Sequence, residues 1–299
     1  VVSMRDTTSP PAFQPLQTRL QDAVDGPYPF TAHTKLGAQY LPDACVFPLQ
    51  TSAACVTGVG ATKIAQSGVN WRATDPFIVY TWLDCPLVGS DPDEVRERIR
   101  VAHEHGAPTV VETVFWTGGD FNVSQHLAED TPITEVSGGS IVTLQTGATT
   151  ITGTYDVVEA VGVLEETMAS CYGGTPLIHV PRGATAHLVN SQIVREQGPK
   201  LVTVGNRSVV IPAPGYKRTG PDGAQAPAGH AWFYATGAVK MWKSSLEFYT
   251  RDVREFLKRD TNDVVLVGEQ RFMLGWDCCH YAILVKLGGV ISGAVASPS

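Results

Sequence analysis

Two stretches of this 299-residue chain hold a helical period long enough to bury a face, and the rest is short, glycine-punctuated and β-like. That restricts the fold to an α+β class in which two principal helices must pack on sheets. The first helix opens at Ser90-Asp91-Pro92-Asp93-Glu94. Asp91 suits the cap, Pro92 suits the first helical position, and Glu94 completes a capping box. Val95, Ile99 and Ala102 then share one face, with Arg96, Glu97, Arg98 and Arg100 largely on the other. Gly106 and Pro108 interrupt the pattern, and Val110, Val111, Val114 and Phe115 resume it. The expectation is one long helix, bent or broken near Pro108 and ending at Gly118-Gly119. The second helix is predicted over 154–172, where Val157, Val161, Leu164, Met168 and Cys171 form one stripe and Gly173-Gly174 stops it.

Strands are expected around these helices. Residues 77–83 are apolar or aromatic at every other position on both faces, which predicts a strand covered on both sides. Further strand-like runs occupy 176–180, 201–204, 208–211, 231–241, 264–274 and 281–287, with a short helix over 182–189. Residues 120–153 are polar and β-like. Pro10, Pro11, Pro15, Pro27 and Pro29 forbid long helices or central strands in residues 1–37, which read as an extended arm lying on a neighbour or on its own body. Small β-like residues with Gly58, Gly60 and Gly68 follow, and they read as a projecting hairpin or loop.

Composition narrows the function. Lys and Arg number 22 and Asp and Glu 29, a net charge of −7 that argues against a protein coating nucleic acid through clustered cations. Charged residues are only 17%, against roughly 25% in an average soluble domain, so much of the surface is expected to meet other protein. No run of about 18 apolar residues predicts a membrane span, and no signal segment opens the chain. The first residue, Val1, is compatible with trimming. Six cysteines at 45, 55, 85, 171, 278 and 279 are too scattered for a disulfide scaffold and read as reduced, buried thiols in a cytosolic compartment.

The order of these parts resembles the major capsid protein of tailed bacteriophages, whose fold encapsulin nanocompartments share. Three stretches carry the resemblance. Pro76-Phe77-Ile78-Val79, followed by the helix from Asp91 to Glu112-Thr113-Val114-Phe115-Trp116-Thr117-Gly118, is similar to the strand and spine helix of that family. The helix over 154–172, then Pro176-Leu177-Ile178-His179-Val180-Pro181 and a short helix, is similar to its axial domain. Ala231-Trp232-Phe233-Tyr234-Ala235-Thr236-Gly237, residues 256–264, Glu269-Gln270-Arg271 and Ala282-Ile283-Leu284-Val285 are similar to its closing strands. The resemblance implies an N-terminal arm (1–37), an extended loop (38–75), a peripheral domain with spine helix (76–150), an axial domain (151–230) and closing strands returning through both domains (231–299).

It also implies a chemistry. Some members join subunits by an isopeptide bond between a loop lysine and a peripheral-domain asparagine, with a glutamate as proton acceptor. Lys63, Asn262 and Glu269 stand at matching positions. The reaction needs Lys63 as the neutral amine, which burial would favour. The plainer reading is that Asn262 caps a turn and Glu269 pairs with Arg271. Asp277-Cys278-Cys279-His280 is a poor metal site, because adjacent cysteines on a strand point to opposite faces. His103-Glu104-His105 lacks the histidine spacing of a metalloprotease and reads as a solvated helix end. Gly58-Val59-Gly60-Ala61-Thr62-Lys63 lacks the ending of a phosphate loop and reads as a loop tip. Trp232, Phe233, Tyr234 and Trp242 read as core or interface, and Arg251, Arg254, Lys258 and Arg259 as inter-subunit ion pairs, with a DNA-facing role as the lesser alternative.

The resemblance therefore implies a structural, non-enzymatic shell protein. Pentamers and hexamers would enclose double-stranded DNA held by weak non-specific contact, with portal, scaffold and decoration proteins as partners and no cofactor, metal or membrane. It would reside in the virion after assembly in the host cytoplasm. The alternatives are an encapsulin shell around cargo enzyme and, less favoured, a soluble α/β enzyme.

Overall fold

The computed structural model describes residues 19–40, 72–86, 92–119, 126–128, 134–137, 140–144, 147–249, 257–258, 263–277 and 279–288. The chain enters through a one-turn helix, α1 (Leu20–Ala23), and then β1 (Asp25–Tyr28). Strands β2 (Ala38–Tyr40) and β3 (Arg72–Thr74) precede the long β4 (Phe77–Pro86), which leads to helix α2 (Pro92–Thr117). Strands β5 (Thr134–Ser137), β6 (Ser140–Leu144) and β7 (Thr149–Asp156) follow, then helix α3 (Val157–Cys171). After β8 (Leu177–Pro181) come the short α4 (Thr185–Asn190), β9 (Val194–Gln197), β10 (Lys200–Thr203) and β11 (Val209–Ala213). The chain closes with β12 (His230–Thr236), β13 (Val239–Lys243), β14 (Glu247–Tyr249), β15 (Leu257–Lys258), β16 (Asp263–Trp276) and β17 (His280–Lys286).

Three sheets result. One runs β7-β17-β12-β8-β11-β10-β9. A second is built on β16, which pairs with β4, β13, β14 and β15, and β1 joins its edge parallel to β13. The third is the four-stranded β2-β3-β6-β5. Within it β2 pairs antiparallel with β3, with Tyr40 opposite Arg72.

Helix α3 packs on the seven-stranded sheet. Asp156 caps it, accepting from the backbone N–H groups of Val158 (2.9 Å) and Glu159 (2.8 Å). Its stripe of Val157, Ala160, Val161, Leu164 and Met168 is buried against Ile178, Val180, Val210, Phe233, Ile283 and Val285. The helix starts three residues later than its period suggests, because Thr154 and Tyr155 are taken into β7 alongside Leu284 and Val285.

Helix α2 is continuous through Pro108 rather than broken there. Pro108 has no N–H to donate to the helix ladder, but Ala107, Val111, Val114 and Phe115 are buried on both sides of it and hold the axis. Its outer face is laced by Arg96–Asp93 (2.7 Å), Arg98–Glu94 (2.5 Å), Arg100–Glu97 and Arg100–Glu104 (2.6 Å). Such exposed pairs are screened by solvent and add little to stability. The buried aromatic layer sets the position of this helix. Phe115 meets His179 and Trp276 edge-on, and Trp116 packs on Tyr216 and Tyr234 while its Nε1 donates to the Thr219 carbonyl (2.8 Å).

Four further expectations change. The run 231–241 is two strands, β12 and β13, split at Gly237 and belonging to different sheets. Polar β9 was invisible to an apolar-period reading because its burial is confined to Val194. His103 is no solvated end: it lies mid-helix and is buried. Cys171 and Cys279 are not free thiols but a disulfide across 108 residues, with Cα atoms 6.0 Å apart. Spacing along the chain carries no trace of that approach, which the packing of α3 beside the β16–β17 turn creates.

Candidate functional site

Of the three cross-link candidates, Lys63 and Asn262 lie outside the described residues, as do the loop tip at 58–63 and Arg251, Arg254 and Arg259. Glu269 is placed on β16, half-buried, opposite Tyr80 of β4 on one side and Glu247 of β14 on the other.

The face that carries Glu269 is the unexpected feature. Strand β4 alternates. Phe77 and Val79 are buried toward α2, whereas Ile78, Tyr80 and Trp82 are 48%, 45% and 59% exposed. The expectation of cover on both sides thus fails within one subunit. The Tyr80 and Trp82 rings stack with centroids 5.7 Å apart. Register places Arg271 beside Ile78, Glu269 beside Tyr80 and Val267 beside Trp82, with Tyr249 next to Val267. The result is an aromatic stripe interleaved with Glu247, Glu269 and Arg271 on an open sheet face. Its sequence signal was present, since β4 is apolar at both parities, but parity does not say which face the subunit's own helix takes.

The opposite face of the same strands is closed. His103 of α2 contacts Thr81 Oγ1 through Nδ1 (3.0 Å) and Gln270 Oε1 through Nε2 (3.2 Å), and Gln270 Nε2 donates to the Ser244 carbonyl (2.6 Å). Desolvation pushes the His103 pKa down, so the ring is held as a neutral bridge between helix and sheet.

The other perturbed groups are equally occupied. Glu112 is buried where α2 meets α1 and the loop after β11. Its Oε1 accepts from the Leu20 N–H (3.4 Å) and its Oε2 from the Gly215 N–H (3.1 Å). Burial raises its pKa to about 7 against those two bonds and the nearby Arg19. His179 is wholly enclosed, touching Tyr216 Oη (2.8 Å) and Thr236 Oγ1 (2.9 Å), and desolvation lowers its pKa to about 3. Burial pushes the Tyr216 hydroxyl up. Glu165 lines an open hollow of about 340 Å³, but its carboxylate is saturated by Thr203 (2.6 Å), Asn206 (2.7 Å) and Ser208 (2.6 Å). These groups stitch elements together. None of them pairs a nucleophile with a base beside an oxyanion site, which acyl or phosphoryl chemistry requires.

The likeness to solved structures follows the fold along nearly its whole length. The capsid of an empty GTA particle matches with TM-score 0.55 and 12% identity, covering 95% of this chain and 94% of that one. The holo-SrpI encapsulin complex from Synechococcus elongatus matches with TM-score 0.52 and 11% identity, covering 99% and 96%. The capsid of Ralstonia phage GP4 matches with TM-score 0.51 and 10% identity, covering 95% and 94%. This chain has the tailed-phage major-capsid fold. Neither a family model nor a curated protein matches the sequence.

Proposed function

We propose that this protein is a structural shell subunit, the major capsid protein of a tailed double-stranded-DNA phage, with no enzymatic turnover. The observation that carries the reading is a capsid fold matched end to end, over 95% of this chain and 94% of its neighbour. The open face of Ile78, Tyr80 and Trp82 supports it: large apolar side chains that the subunit leaves uncovered, interleaved with Glu269 and Arg271, suit burial between copies. The β16-based sheet with α2 serves as the peripheral domain and the seven-stranded sheet with α3 as the axial domain. Pentamers and hexamers enclose the genome, which the net charge of −7 keeps from gripping the wall. Portal, scaffold and decoration proteins are the expected partners in a virion assembled in the host cytoplasm. Negative-stain electron microscopy of the concentrated protein is expected to show rings or closed shells. A particle that stays monomeric throughout would overturn the reading.

The encapsulin likeness, which covers 99% of this chain, favours a second reading as a compartment around cargo enzyme. Absorbance of purified particles separates the two, because packaged DNA raises the 260/280 nm ratio and protein cargo does not. In either shell, Lys63 Nζ as the neutral amine would attack Asn262 Cγ, with Glu269 taking the amine proton and passing it to the departing amide nitrogen, which leaves as ammonia. A denaturing gel showing subunit ladders supports this bond, and one showing only monomer rules it out.

A further inference from the structure

Two chain passages form a ribbon between the seven-stranded and β16-based sheets, beside the core that Phe115, Tyr234, Met241 and Trp276 share. Strand β12 leaves the first sheet at Thr236 and enters the second as β13 at Val239. Strand β16 leaves the second at Trp276 and returns to the first as β17 at His280. The passages are antiparallel neighbours, with Thr236 opposite His280 and Val239 opposite Trp276. Regular pairing stops between them. There the Gly237 N–H donates to the Cys279 carbonyl (3.2 Å).

The last turn of α3 grips both passages at this gap. Tyr172 Oη accepts from the Ala238 N–H (3.1 Å), and its ring lies so close to Gly237 that a Cβ there would sit 2.6 Å from it. The preceding residue, Cys171, is bonded to Cys279. One helix end therefore holds the first passage by a hydrogen bond and ring contact, and the second by a covalent bond. Cys279 is 1% exposed and Cys171 half-buried, so a small thiol meets Cys171 first.

We propose that Cys171 and Cys279 form a redox-operated clamp on the ribbon between the two sheets, closed by disulfide exchange with a small-molecule disulfide of the glutathione class. In the closing reaction the Cys171 thiolate attacks one sulfur of glutathione disulfide and releases one glutathione. The Cys279 thiolate then displaces the second from the mixed disulfide. The two cysteines lose two electrons and two protons, and both go to the two glutathione thiols. When the clamp is open, the ribbon keeps the Tyr172–Ala238 and Gly237–Cys279 hydrogen bonds but loses its covalent tether, so its backbone opens more readily. When it is closed, the second passage is tethered to the body of the seven-stranded sheet through α3. The clamp belongs to the single chain and does not depend on what the chain assembles into.

Hydrogen exchange read by mass spectrometry on the full chain tests it, after equilibration with glutathione disulfide or with dithiothreitol. Amides in 236–239 and 276–281 are expected to exchange at least tenfold faster in the reduced protein. Cys171→Ser should behave as the reduced form in both buffers, and Cys278→Ser should keep the full redox difference. Alkylation after denaturing quench should label Cys171 and Cys279 only in the reduced sample. Equal exchange in the two buffers, labelling of Cys279 after oxidation, or loss of the difference in Cys278→Ser would each overturn the clamp.

Discussion

Glu112→Gln tests how the N-terminal segment is held against the spine helix. In the native protein the Glu112 carboxyl titrates at about 7 rather than its ordinary 4.5, because burial outweighs the N–H groups of Leu20 and Gly215 and the charge of Arg19. Asp22 adds a small push in the same direction as burial. Between these two values the folded chain keeps a proton that the unfolded chain gives up. The associated stability is present in full below about 4.5 and is lost as pH rises through about 7. The loss amounts to about 3 kcal/mol. Glutamine imitates the protonated acid, since one oxygen still accepts and neither atom ionises. The variant should match the natural protein to within about 1 kcal/mol at low pH, the worth of one hydrogen bond. At pH near 8 it should be the more stable by about 3 kcal/mol. His179 pulls the other way over a lower range. Its depressed pKa, about 3 against 6.5, gives stability that is present above 6.5 and lost as pH falls toward 3. That contribution is common to both proteins and cancels in the difference. Urea unfolding followed by tryptophan fluorescence across this range measures the difference directly. A gap between variant and natural protein that does not change with pH would refute the argument that Glu112 is a desolvated charge.

Three further outcomes are expected. Replacing Tyr80 and Trp82 together by serine should leave urea stability within about 1 kcal/mol, since both are exposed, yet abolish rings and shells under the electron microscope. Leu164→Ala removes a side chain with 0% exposure from the α3 stripe and should cost about 3 kcal/mol in the same unfolding assay. Gly215→Ala would place a Cβ 2.3 Å from the Thr109 carbonyl oxygen and 2.8 Å from the Thr113 nitrogen of α2. Helix backbone cannot yield as a side chain does, so a lowered melting temperature is expected, equivalent to about 1–3 kcal/mol.

Much of the scaffold is legible along the chain. The Pro92-Asp93-Glu94 opening and the Gly118-Gly119 stop bracket α2, the Asp91 cap lying outside the described residues, and the apolar stripe of α3 is the buried stripe, because helix starts, stops and the 3.6-residue period are local properties. The order of elements sufficed to suggest the fold. The face of β4 is a different matter. Phe77 and Val79 alternate with Ile78, Tyr80 and Trp82, all apolar, and period two cannot say which set the helix covers. Glu112 looks like one more helix-face charge until α1 and Gly215 close over it.

The sequence by itself determined the two principal helices, most of the strands, and that β4 is apolar on both faces. Only the tertiary structure decided the split of 231–241 between two sheets at Gly237, the meeting of Cys171 with Cys279, and the side of β4 left open. Backbone preference is set by neighbours in the chain. Burial and bonding partners are set by residues that packing brings from a hundred positions away, and no local pattern records them.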